Sequence, residues 1–168
     1  SLNNKLKIKY GSGNYNKEVD ALLTIKGIDQ AKSIGYRMLG LEEDFSKFDL
    51  IGTSLSRTRH TLQVVSEILD IDNKIIKKED LLISKCWTNF PKPTEEEKKE
   101  KEANPWIWAP KGCIESYKRE YERVLEFYEQ NKNKENLIIC GHQGTTSVLI
   151  KILSCWTMEQ IKENRKTK

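Results

Sequence analysis

Histidine is nearly missing from this chain of 168 residues; there are two, His60 and His142. That scarcity argues against a histidine-rich metal centre, and no metal or other cofactor is expected. Cysteine is sparse as well. Cys86, Cys113, Cys140 and Cys155 are widely spaced, with no CxxC pair, which points to reduced thiols and a cytoplasmic protein. No apolar run approaches the roughly 18 residues of a bilayer span, and no signal-peptide core stands at the N-terminus. Neither a membrane nor a nucleic acid is expected as a partner. The net charge is only +4, and the basic residues are spread along the chain rather than gathered in a patch.

What is present suits one globular domain over residues 1–168. Hydrophobic residues make up 37% of the chain, enough for the core of a layered α/β domain. Leu6 to Tyr10 alternates like a short strand, and Gly11 to Asn14 reads as a loop. Thr24 is placed to cap a helix over about 25–44, with Ile28, Ala31, Ile34, Gly35, Met38 and Leu39 at helical spacing. Phe48 to Gly52 reads as a strand. A helix then runs from Arg57 to Leu69 and buries Thr61, Val64, Val65 and Ile68. Ile75–Lys77 and Leu81–Ile83 read as short extended pieces.

Residues 84–110 form an insertion that holds Trp87, Trp106 and Trp108. Its charged run from Thr94 to Glu102 predicts a solvated helix with i,i+4 ion pairs along it. A helix over about 115–130 carries Tyr117, Tyr121, Val124, Leu125 and Tyr128 along one side. The apolar run 137–140 predicts a buried strand, followed by a helix over about 145–153 and a helical tail from Trp156. Strands alternating with helices predict a three-layer α/β/α sandwich with a mostly parallel sheet. Sites in such folds gather at the C-terminal ends of the strands. Tyr10, Arg57 and His142 each follow a strand end.

Four segments, in order, carry a family likeness. Asp20-Ala21-Leu22-Leu23-Thr24-Ile25-Lys26-Gly27, continuing to Gln30-Ala31, is the first. Leu55-Ser56-Arg57 with Thr61 is the second. Pro110 to Ser116, ending Glu115-Ser116, is the third, and Cys140-Gly141-His142-Gln143-Gly144 is the fourth. Together they resemble the histidine phosphatase superfamily, in its phosphoglycerate mutase-like branch. The resemblance implies a phosphohistidine mechanism without metal: one histidine attacks phosphorus, two arginines and a second histidine hold the phosphoryl oxygens, and a carboxylate protonates the leaving oxygen. By that likeness Arg57 is the helix arginine, whose planar fork suits phosphate, and His142 is the second histidine. Gln143 stands beside it in place of a glycine, and Asn16 matches a substrate-side asparagine. Backbone amides near Gly144 and Thr145 are further candidates to meet an anion.

The departures lie on the attacking side. Lys9 stands where the first arginine belongs, and it keeps the charge without the bidentate fork. Tyr10 stands at the nucleophile position, and a phenol with a reference pKa near ~10 is protonated at neutral pH. Ser12 replaces a frequent glutamate, and no carboxylate appears near Ser84, where the proton donor is expected. The expectation is therefore a degenerate member that binds inorganic phosphate, a phosphorylated small molecule or a phosphoprotein, with little or no turnover. The alternative is an active phosphomonoesterase with an unorthodox nucleophile, either Tyr10 itself or His60, three residues beyond Arg57. Cys113 and Arg119 fit C-x5-R, but the segment between them lacks glycine and opens a helix, so it offers no amide cradle.

Overall fold

A computed structural model describes residues 20–83, 94–109 and 115–166. They fall into two compact units, one made of residues up to 83 with 134–141, the other of the described residues from 94 to 133 with those from 142 on. Lys9, Tyr10, Ser12, Asn16, Ser84, Trp87 and Cys113 lie outside the described residues.

The first unit is built on a parallel sheet. Its elements are α1 (Ile25–Leu39), β1 (Asp49–Gly52), α2 (Ser56–Ile68), β2 (Ile76–Lys78) and β3 (Leu137–Cys140), the last numbered after the strands before it. The described strands lie in the order β2-β1-β3, and both pairings are parallel. Register runs from Asp49 opposite Leu137 to Gly52 opposite Cys140. β1 and β3 therefore end side by side. Parallel strands joined through helices are the α/β arrangement that the alternation predicts.

Local chemistry sets the boundaries. Thr24 caps α1 as expected, its hydroxyl accepting from Gly27 N at 3.1 Å. The helix ends at Leu39, short of the predicted 44, because Gly40 closes it through a bond to Met38 O. Asp44 then starts a separate short turn over Phe45–Lys47. Ile34 and Leu39, which the helical spacing places with the apolar positions, are exposed, and Ala31 and Gly35 are the buried residues of the helix. A Cβ on Gly35 would come within 2.8 Å of Ile68 Cβ, so α1 and α2 pack at backbone distance. On α2, Val64 and Val65 are buried as predicted, joined by Leu62, while Thr61 and Ile68 are only half-buried. Phe45, Leu50, Val65, Leu69 and Ile71 form the core of this unit, each side chain worth about 1.5–3 kcal/mol on full burial.

The predicted extended piece over 81–83 is instead a short helical turn, Asp80–Leu82. Glu79 bends the chain there, its carboxylate accepting from Leu81 N at 2.9 Å.

The second unit, as described, is helical: α3 (Glu95–Ala103), α4 (Tyr117–Asn131), α5 (Gln143–Leu153) and α6 (Met158–Lys166). α3 buries no residue, matching the solvated helix expected of that run. Thr94 and Glu97 close its start with a capping box, and its ion pair is Lys98 with Glu95, at i,i+3. α4 packs on α5. Trp106 packs edge-on against Tyr117, ring centroids 5.2 Å apart, and also lies against Tyr121. This tryptophan is a packing residue.

Candidate functional site

Two strand-to-helix turns carry the candidate residues that the structure describes. In the first, β1 runs out at Gly52 and α2 begins at Ser56, with Arg57 as its second residue. Four consecutive backbone amides between them are satisfied by side chains. Thr53 N donates to Thr58 Oγ1 at 3.2 Å, and Ser54 N to Asp80 Oδ1 at 3.1 Å. Leu55 N donates to Thr53 Oγ1 at 3.3 Å. Ser56 N donates to Asp20 Oδ1, while Ser56 Oγ donates to the other oxygen of the same carboxylate at 3.0 Å. Thr53, Ser56 and Thr58 are buried. Leaving any of these groups unpaired would cost about 1–3 kcal/mol.

Asp80 is a carboxylate the sequence reading passed over. Burial alone would raise its pKa, but hydrogen bonds from Ser54 and the nearby Lys78 ammonium bring it below the usual carboxylate value. It is held as an anion.

The face of α2 that carries Arg57 also carries Thr61, four residues on. Thr61 donates to Arg57 O at 2.9 Å, and its side chain is hydrogen-bonded with the Cys140 thiol at the end of β3. Burial pushes the Cys140 thiol above its ordinary pKa, an effect this bond only partly offsets. Cys140 is accordingly a protonated strand-end thiol, in line with a packing role. His60 is half-buried, and its Nδ1 is buried without a hydrogen-bond partner among the described residues.

In the second turn, His142 is the N-cap of α5, followed by exposed Gln143 and Gly144. Thr145, fully buried, closes the turn locally: His142 N donates to Thr145 Oγ1 at 3.3 Å, and that hydroxyl donates to His142 O at 3.1 Å. The Glu120 carboxylate, from the buried face of α4, comes close to this turn. Its Oε1 lies 2.6 Å from where a Cβ on Gly144 would stand. A side chain at this position would have to displace that carboxylate. α4 itself starts at Ser116, whose hydroxyl accepts from Arg119 N. Glu115 is paired with Arg123 through two bonds, at 2.7 and 3.1 Å. The Glu115-Ser116 segment thus serves as a helix start. Arg119 is exposed on the same helix.

Of the candidate residues, Arg57 lies in the first unit and His142 and Gln143 lie in the second. Lys9, Tyr10 and Asn16 fall outside the described residues. The amides near Gly144 and Thr145 stay an expectation; the structure places the Glu120 carboxylate beside the Gly144 Cα. Sequence reasoning missed Asp80 and Glu120 as parts of these turns. A signal existed for Glu120, an acid at a helical-period position between Tyr117 and Val124.

The family model of the histidine phosphatase superfamily, branch 1, matches residues 10–166. The chain belongs to that superfamily. No curated protein matches it by sequence. Among solved structures, it is similar to mycobacterial glucosyl-3-phosphoglycerate phosphatase, with a TM-score of 0.64 at 14% identity over 89% of this chain and 74% of that one. The complex of the same phosphatase with inorganic phosphate gives 0.63 at 15% identity, over 89% and 75%. Bacillus stearothermophilus YhfR gives 0.59 at 17% identity, over 90% of this chain and 79% of that one. Likeness at this identity shows the fold, a phosphoglycerate mutase-like α/β sandwich with a mostly parallel sheet. Among the described residues, no group of acidic, histidine or cysteine side chains is placed to hold a metal ion, and no helix is long and apolar enough to cross a membrane.

Proposed function

We propose that this superfamily member binds inorganic phosphate or a phosphorylated ligand, a small molecule or a phosphoprotein, through Arg57 and His142, with little or no turnover. The observation that carries the reading is the register of β1 and β3. Gly52 and Cys140 are opposite each other, so the segments leading to Arg57 and to His142 leave the sheet at one edge. In parallel α/β sheets that edge is where ligands bind. The relative solved with inorganic phosphate supports the choice of ligand.

The low-turnover part rests on the sequence. Tyr10 occupies the nucleophile position of the family pattern, Lys9 replaces one arginine, and the segment at Ser84 lacks the carboxylate. Clamping and attack are separate roles, so a guanidinium and an imidazole retain their use for anion binding when attack is lost. The family match spans both units, which supports reading them as one domain. The widely spaced thiols support a reducing, cytoplasmic setting.

The test is calorimetric titration of the purified chain with inorganic phosphate, beside hydrolysis of p-nitrophenyl phosphate. Saturable binding is expected, weakened at least about tenfold by Arg57→Ala, the scale of a charge-assisted bidentate contact. Hydrolysis is expected near background, and Tyr10→His alone should recover little. Robust hydrolysis abolished by Arg57→Ala would establish the unorthodox-nucleophile alternative instead. A wild-type chain that releases no binding heat and shows no competition by phosphate would end the binding proposal.

A further inference from the structure

Four successive amides, from Thr53 to Ser56, donate to side-chain oxygens of the protein. A loop that cradles phosphate keeps such amides for the ligand. This turn does the reverse. These amides are committed to the protein, which leaves the Arg57 side chain as the charged group at this turn for an anion and makes the turn a fixed base for Arg57. We infer that Asp20 is a positioning residue for Arg57, acting through Ser56 and not through the ligand. The inference rests on the phosphate-binding reading above.

Three observations carry it. Asp20 holds both donors of Ser56, the backbone N–H and the hydroxyl, with its two oxygens. Ser56 is the residue immediately before Arg57 and is 4% exposed, so its end of the anchor is shielded from water, while Asp20 is half-buried. The bond spans 36 residues of sequence, which ties the segment before α1 to the head of α2. A guanidinium needs this more than an ammonium does. Its fork delivers two parallel bonds only when its base is fixed, whereas lysine acts as a point charge on a flexible stem.

A carboxylate close to an anion site also repels the anion, and this gives the alternative a distinct signature. If Asp20 acted only by its charge, both Asp20→Ala and Asp20→Asn would tighten phosphate binding. A positioning residue gives a split result. Asn keeps an acceptor for Ser56 N, so it should stay within about threefold of wild type, while Ala should weaken binding about tenfold, the order expected when a clamp is misplaced. Ser56→Ala removes one of the two bonds with little risk to folding, and a loss of about threefold is expected. In an Arg57→Lys background the effect of Asp20→Ala should shrink below about twofold, because the pair is then uncoupled.

All variants are titrated with inorganic phosphate well below their unfolding midpoints. Wild-type binding that Asp20→Ala and Ser56→Ala leave within twofold overturns the inference alone. So does an Asp20→Ala loss that is undiminished in the Arg57→Lys background. Wild-type protein that binds no phosphate overturns the phosphate reading and this inference with it.

Discussion

The two strand-to-helix turns do the same geometrical job with different materials. The turn before Arg57 is held partly by its own Thr53 and Thr58 and partly from far away, by Asp20 and Asp80, which lie 36 and 26 residues from their partners. The turn at His142 is closed by its own Thr145, three residues on, and the carboxylate beside it rides on α4. Each helix head has a carboxylate of its own unit close by, which favours the positive end of a helix dipole. The first turn depends on loops staying in place. The second depends on one helix, α4, staying in register.

The strongest way to break the second turn is to attack the helix that supplies its carboxylate. The Arg123 and Glu115 side chains are 16% and 10% exposed. Arg123→Ala leaves a nearly buried carboxylate unpaired and should cost about 3 kcal/mol, read as a lowered urea midpoint at unchanged slope. A loss below about 1 kcal/mol, the range of an exposed pair, would show that α4 is held by its apolar stripe alone.

A finer probe works at Gly144. Gly144→Ala drives a methyl against Glu120, and Glu120→Ala removes the carboxylate beside the head of α5. Losses of about 1 and 2 kcal/mol are expected in urea unfolding. Glu120→Asp draws the carboxylate back by one methylene, so in that background Gly144→Ala should cost less. Strict additivity would show that the two do not share space.

The smallest effect is on the first turn and is read from the pH dependence of stability in acid. Asp80 has a folded pKa below its ordinary value. Its contribution is complete above the unfolded pKa of about 3.9 and fades as pH falls through the lower folded value. Asp80→Asn should therefore lower the melting temperature slightly at neutral pH and flatten the fall below about pH 4, so that the two profiles converge in acid. An unchanged acid limb would remove Asp80 from the account of the first turn.

Short-range chemistry made much of this legible in the sequence. Thr24 and Ser116 sit where cap residues belong. The apolar run 137–140 forms the strand it predicts, though half-buried rather than buried, and Arg57 and His142 stand at helix starts just past strand ends. What escaped was set by distance or by break points. Nothing near Ser56 announces that its amide will meet Asp20. The bend at Glu79 and the stop at Gly40 depend on local capping that period-based reading overlooks, so 80–82 became a helical turn and α1 ended early. Glu120 was hidden differently, as an acid inside an apolar stripe whose other members draw the eye. At the candidate site, Lys9, Tyr10 and Asn16 remain expectations from sequence alone.

The closed amides of Thr53 to Ser56 have a thermodynamic corollary. A segment whose donors are already committed has little conformational freedom left to surrender when an anion arrives. Binding at Arg57 should then carry almost no ordering penalty from this turn, and the heat capacity of phosphate binding should stay close to that of the ion's own dehydration. The turn behaves as a socket machined in advance, and whatever a ligand gains at Arg57 it keeps.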